Sequence, residues 1–242
     1  MEQNEFVLLC RKIFRDNRIA CSAEQAERLY QLTVRMLEIN SYMNLTAITD
    51  EKAVILRHYV DSLIVLEQIP HSAKVLDVGC GAGFPSLPLA IFRPDLRITS
   101  LDATAKRIAY VAETAKMLEL PNLTAVVGRA EEYALRSDYR EQFDTVVARA
   151  VASLPVLSEL CLPFVRKGGR FLAMKSRQIE EEIALSKNAI SLCGGALTEV
   201  LRRELLSEDL EIEQRAVACI EKTEETPKKY PRHFSKISKN PL

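Results

Sequence analysis

The chain has 242 residues, 48% hydrophobic and 27% charged, with a formal net charge of zero. That is enough for one large globular domain, or one domain with an appendage. No apolar run approaches the roughly 20 residues of a membrane span, and a zero net charge gives no hint of a nucleic-acid partner.

The opening residues, MEQNEFVLLCRKIF, carry no basic segment ahead of the apolar ones, so no signal peptide is predicted. Cysteines 10, 21, 80, 161, 193 and 219 are widely spaced with no C-x-x-C pair. That spacing argues against a zinc site and a disulfide framework and suits a reducing cytosol, so a cytoplasmic location is expected and no metal ligands are assigned.

Residues 1–70 are expected to be helical. In AEQAERLYQLTVRMLEI the apolar residues Ala26, Leu29, Leu32, Val34, Met36 and Leu37 recur near the helical period, behind Ser22 as N-cap. EKAVILRHYVDSLIVLEQI repeats the pattern between Asp50 and Pro70. NSYMNLTAITD between them is polar and turn-prone, hence a loop.

From residue 74 the pattern changes. KVLDV, RITSLD, LTAVV, FDTVVA and RFLAMK are short runs rich in Val, Leu, Ile and Thr, with helix-length stretches between most of them. Such alternation predicts an α/β fold: a parallel sheet covered by helices on both faces. A helix is expected over IEEEIALSKNAISLC, then two strands in ALTEVLRREL and EQRAVACIEK. Too little chain separates that pair for a crossover, so it should be antiparallel. Three segments result: a helical extension over 1–70, a main domain over 71–225 and a basic tail over 226–242.

The main chemical signal is KVLDVGCGAGFPSLPLA, residues 74–90. A strand ends near Asp77, and Gly79, Gly81 and Gly83 follow at alternate positions before a helix expected over 84–92. Glycine permits a tight turn and close backbone approach, and a helix start favours an anionic group. In open α/β sheets ligands bind at this end of the strands. The spacing is not G-x-G-x-x-G, and no G-K-[S/T] follows, so a nucleoside without pyrophosphate, such as S-adenosylmethionine, fits best. RITSLD ends at Asp102, nineteen residues after Gly83, where a carboxylate can accept both ribose hydroxyls.

Charge is unevenly distributed. Residues 204–225 hold eight acids against Arg215 and Lys222, whereas TPKKYPRHFSKISKNPL holds five Lys/Arg and no acid. Tyr230 and Phe234 lie among those cations, as in segments that track phosphates and stack on bases. Charge alone favours a solvated tail.

NLTAITD, RHYVDS, VLDVGCGAGFPSLPLAI, RPDLRITSLDATAKR, VGRAEE, FDTVVARAVASLPVL, KGGRFLAMKS and TPKKYPR…KNPL cover almost the whole chain. On these motifs the sequence resembles the bacterial ribosomal RNA small subunit methyltransferase G family, also called glucose-inhibited division protein B. The resemblance implies a Rossmann-like class I methyltransferase with a seven-stranded, mostly parallel sheet and one antiparallel strand. It implies S-adenosylmethionine-dependent methylation of N7 of one guanine in 16S rRNA, that of the 530 loop, on the 30S subunit, by an enzyme expected to be a monomer without an obligate protein partner.

The family's cofactor positions fall on Gly79, Phe84, Asp102, Ala130, Glu131 and Arg149. Gly81, Gly83, Ala103 and Thr104 are grouped with them as loop neighbours. Gly79 is expected to let the methionine part lie on the loop, and Phe84 to pack against the cofactor or the core. ARAVASLP follows the fourth strand in place of an acidic or Asn-Pro-Pro motif, which suits N7, whose lone pair requires no general base. No residue is assigned as catalytic in the strict sense. Arg149 and Lys175 are positioning candidates on phosphate or guanine O6, and Lys106, Arg107, Lys228, Lys229 and Arg232 are expected on RNA phosphates. His58 and Asp61 either line the cofactor mouth or form a helix-packing network. Two rivals are a small-molecule or protein methyltransferase on the same fold, and a non-catalytic RNA-binding module.

Overall fold

The computed structural model describes residues 1–176, 179–209 and 211–242. Seven strands form one sheet: β1 Lys74–Val78, β2 Arg97–Asp102, β3 Leu123–Val127, β4 Phe143–Arg149, β5 Val165–Ser176, β6 Gly195–Leu206 and β7 Ile212–Lys222. Their order is β3-β2-β1-β4-β5-β7-β6. Only β7 runs against the rest, pairing antiparallel with both β5 and β6. The antiparallel pair expected from the short 207–211 connection is therefore present; Leu210 within it lies outside the described residues.

The helices are α1 Gln3–Asp16, α2 Ala23–Met43, α3 Glu51–Val54, α4 Asp61–Leu63, α5 Ser86–Phe92, α6 Ala105–Met117, α7 Ala130–Tyr133, α8 Leu154–Cys161, α9 Glu180–Leu192 and α10 Phe234–Lys239. Strand residues alternate between the two faces of the sheet. Val75 joins a core built with α1, α2, α5 and α6, and Leu76 joins one built with α8 and α9. The helices of residues 1–70 thus roof one face and share its core.

Ser22 caps α2 as expected, in a reciprocal box with Gln25. The second expected N-terminal helix is not regular: Ile55–Val60 is π-helical between α3 and α4, and a 3-10 turn follows at Leu66–Gln68. Such turns are uncommon and cluster at functional sites. Nothing in the local sequence marks this one.

The sheet order reverses between β1 and β4, and all the parallel strands finish on the same side there. Ligand crevices of doubly wound sheets lie at this reversal. The tail leaves β7 at the other end. Thr226 N–H donates to Glu141, just ahead of β4, and Arg140 donates to the carbonyls of Thr226 and Tyr230.

Candidate cofactor crevice

The glycine loop satisfies the chain's own backbone first. Gly79 and Cys80 N–H groups donate to Leu101 O at the end of β2, and Gly83 and Phe84 N–H groups donate to Cys80 O. All three glycines have left-handed φ, +73°, +56° and +86°, a region costly for residues with a Cβ. A Cβ on Gly79 would stand 2.7 Å from Val151 Cγ2, and one on Gly83 would stand 2.5 Å from Leu87 Cδ1. Only the Cβ direction of Gly81 is open, with nothing within 4 Å. On its Cβ side Gly79 already packs against the fold. Val151 of the β4–α8 loop occupies that side, and the loop's open side is at Gly81.

Helix α5 begins at Ser86, two residues later than expected. Its first N–H is also not free for a ligand anion, because it donates to Asp77 Oδ2 at 3.1 Å. The other Asp77 oxygen is buried without a partner. Burial pushes the Asp77 carboxyl up to about 7, against the Ser86 N–H bond and the field of Arg149. The Ser86 hydroxyl is buried and unpartnered and caps nothing.

Asp102 is 8% exposed at the carboxyl end of β2. Its Oδ2 accepts Gly81 N–H at 3.0 Å and its Oδ1 accepts Thr104 N–H at 2.8 Å. A carboxylate offers about four lone-pair directions, so two backbone donors fix its orientation and leave acceptors for a diol. The 103–104 turn is exposed, and Lys106 and Arg107 are exposed in the first turn of α6 beside it. Ala130 and Glu131 open α7 after β3; Glu131 is 7% exposed and its carboxylate stands 3.9 Å from Arg129.

Residues from the N-terminal extension form the opposite wall. The His58 ring stacks on Phe84 with centroids 4.5 Å apart and planes 2° apart, and the Arg149 guanidinium lies 5.5 Å from the Phe84 centroid. Burial, then the Arg149 charge, push His58 down to about 3, so its ring is neutral. A guanidinium only donates. His58 Nδ1, facing Arg149 Nη2 at 3.5 Å, is therefore the acceptor, and Nε2–H donates to Thr46 Oγ1 at 2.9 Å. NLTAITD thus has a visible task, since Thr46 anchors His58.

Arg149 is 14% exposed and committed within the fold. It donates to Arg57 O at 3.0 Å and to Asp61 Oδ2 at 2.9 Å. The other Asp61 oxygen accepts Arg215 Nε at 3.0 Å. Lys175 Nζ donates to Ala152 O at 2.6 Å and pairs with Glu182 at 2.7 Å, while Glu182 also accepts Leu154 N–H. Both positioning candidates are paired within the fold, and they tie the π turn and the 150–154 loop to the sheet. His58 and Asp61 belong to a packing network that is also the crevice wall, so the two alternatives for them merge.

The tail cations are not at this crevice. Arg232 pairs with Glu159, which is fully buried on α8, at 2.6 Å. Lys228 and Lys229 are exposed between Thr226 and Tyr230, at the amino end of the parallel strands. Glu159, Glu182, Thr46, Arg215 and Val151 carried no expectation. Only the presence of Thr46 and Val151 inside the quoted motifs hinted at them.

The residues fit S-adenosylmethionine. Asp102 retains acceptors for ribose hydroxyls, Gly81 leaves open space, and Ala130–Glu131 follow β3, whose last residue, Val127, pairs with Asp102. A family model described as GidB, rRNA small subunit methyltransferase G, matches residues 24–209. The chain is 46% identical over 221 residues to the ribosomal RNA small subunit methyltransferase G of Lachnoclostridium phytofermentans, covering 90% of this chain and 89% of that protein. It is 39% identical over 240 residues to that of Clostridium beijerinckii, covering 98% and 99%. A similar fold occurs in the crystal structure of M. jannaschii TYW2 in complex with AdoMet, with TM-score 0.51, 16% identity and 67% and 73% coverage. The likeness shows a methyltransferase fold, and the coverage by sequence relatives shows more: the chain belongs to the ribosomal RNA small subunit methyltransferase G family, and its cofactor is S-adenosylmethionine.

Proposed function

We propose that this protein methylates N7 of a guanine in the 530 loop of 16S rRNA on the 30S subunit, as a cytoplasmic monomer. One observation supports this most. The cations and the imidazole of the crevice wall are engaged by the protein: Arg149 by Asp61, Lys175 by Glu182, and His58 as a neutral acceptor. Paired cations and a neutral, hydrogen-bonded imidazole suit a nucleophile that carries no proton. Guanine N7 has an in-plane lone pair, so nothing must be deprotonated before attack.

S-adenosylmethionine, when bound, supplies an activated methyl on a sulfonium. The protein's work is positioning. Such alignment is worth roughly 7–11 kcal/mol of barrier when reacting atoms are held in line. Asp102 orients the ribose, the Phe84–His58 stack gives a flat apolar wall, and the 150–154 loop, tied down by Lys175 and Glu182, closes the floor at Val151. Arg149 is held on the wall by Asp61, whose carboxylate offsets its charge beside a purine that would gain positive charge. Lys106 and Arg107 serve rRNA phosphates at the rim.

The test is transfer of labelled methyl from S-adenosylmethionine to 30S subunits, followed by mapping of the modified base. Label at N7 of one guanine is expected. Label on an exocyclic amine or on protein would overturn the reading. Among the described residues no helix is long and apolar enough to cross a membrane.

A further inference from the structure

We propose that the second half of α1 and the turn after it form a docking stripe for the phosphate backbone of the rRNA substrate. This rests on the rRNA reading above. Arg11, Lys12, Arg15 and Arg18 are all exposed and line one groove of about 620 Å³, together with Leu8, Ile19, Ala20 and Cys21. Four cations meet there and no acid lines the groove. Arg11 and Arg15 are one helical turn apart. Arg18 follows in the turn that closes α1, where its N–H donates to Arg15 O.

These cations are weakly held by the fold. Arg15 stands 3.7 Å from its neighbour Asp16, and Lys12 stands 3.5 Å from Glu208. No acid lies within 4 Å of Arg11 or Arg18 among the described residues. Solvated surface cations are usually interspersed with acids. Four cations lining one groove that no acid lines, with only Asp16 and Glu208 beside them, is the pattern expected of a phosphate track.

The stripe is on the crevice side of the molecule. Asn17, in the same turn, donates to Leu206 O and accepts Leu206 N–H, both at 2.8 Å. Leu206 ends β6, which runs parallel to β1 and β4, so it finishes at the same end as the glycine loop. A larger groove of about 1090 Å³ shares Arg18, Ile19 and Ala20 with the first and runs to Arg215. Arg215 bonds the Asp61 that holds Arg149. A continuous surface therefore leads from the stripe to the crevice wall. A base inserted in the crevice would leave its flanking strand to cross this surface.

The test compares full-length wild type with Arg11→Gln/Arg15→Gln/Arg18→Gln. Lys12 is left intact because of Glu208. The variant should bind 30S subunits at least roughly tenfold more weakly at low salt, and its slope of log affinity against log salt should flatten by about 2–3. S-adenosylmethionine affinity and melting temperature should match wild type, which separates loss of docking from loss of fold. If the variant melts early, Arg11→Lys/Arg15→Lys/Arg18→Lys decides: it keeps the charges and must restore affinity. Wild type that puts no label into 30S subunits overturns the proposed function and this inference with it. Wild type that labels 30S beside a variant of equal affinity and equal slope overturns the stripe alone.

Discussion

The glycine loop and the basic tail make an instructive pair. Each follows a strand of the same sheet, and each carries the kind of residue that marks a ligand site. The loop leaves β1 at the carboxyl end of the parallel strands, at the order reversal, and becomes the crevice floor. The tail leaves β7, the one strand running backwards, and so emerges at the opposite end. There its most embedded cation neutralises the buried carboxylate of Glu159. A strand's direction decides which motif can reach substrate. Composition suggests charge or close approach, and says nothing of which end of the sheet will present it.

The strongest way to break this comparison is Gly79→Val. A branched side chain meets Val151 and a left-handed φ at once. Overpacking costs roughly 1–3 kcal/mol and the φ about 1–2 kcal/mol more. S-adenosylmethionine binding should fall below detection by calorimetry, and normal binding would mean that the loop is not the floor.

Arg232→Ala tests the tail. It strands the buried Glu159 carboxylate, so stability should fall by roughly 3 kcal/mol in denaturant titration, while cofactor affinity stays constant. Unchanged stability with weakened 30S binding would return Arg232 to the RNA interface.

Asp102→Ala is next. It removes charge-assisted bonds worth about 1.5–3 kcal/mol each, both to ribose and to the Gly81 and Thr104 N–H groups. Cofactor affinity should drop with the fold intact. A change within twofold would remove Asp102 from the site.

The finest test is pH. Asp77 is raised from 3.8 to about 7, so the folded state holds its proton longer than the unfolded one, and the associated stability is lost as pH rises through about 7. His58 is lowered from 6.5 to about 3, so its contribution is present above 6.5 and lost as pH falls toward 3. Between about pH 4 and 6 the two oppose each other. Asp77→Asn keeps an acceptor for Ser86 N–H and should leave stability rising with pH in that window. His58→Gln should leave it falling. Identical slopes in both variants would show that neither group titrates as described.

The sequence by itself determined a good deal. The alternation of short β-branched runs with helix-length stretches specified the parallel sheet, because strands buried on both faces need continuous apolar residues. The 207–211 connection specified the antiparallel pair, because so few residues cannot cross a sheet. The glycine triplet and Asp102 marked the crevice, because left-handed turns and strand-end carboxylates are written locally. Only tertiary structure decided the rest. The stack of His58 on Phe84, the capture of Arg149 by Asp61 and the burial of Glu159 against Arg232 join residues 26, 88 and 73 positions apart, and the π turn at Ile55–Val60 and the Lys175–Glu182 pair, though close in sequence, are fixed by the elements packed around them. A charge's availability depends on which partner the fold brings within about 3 Å, and that is set by packing between elements, which no local pattern encodes.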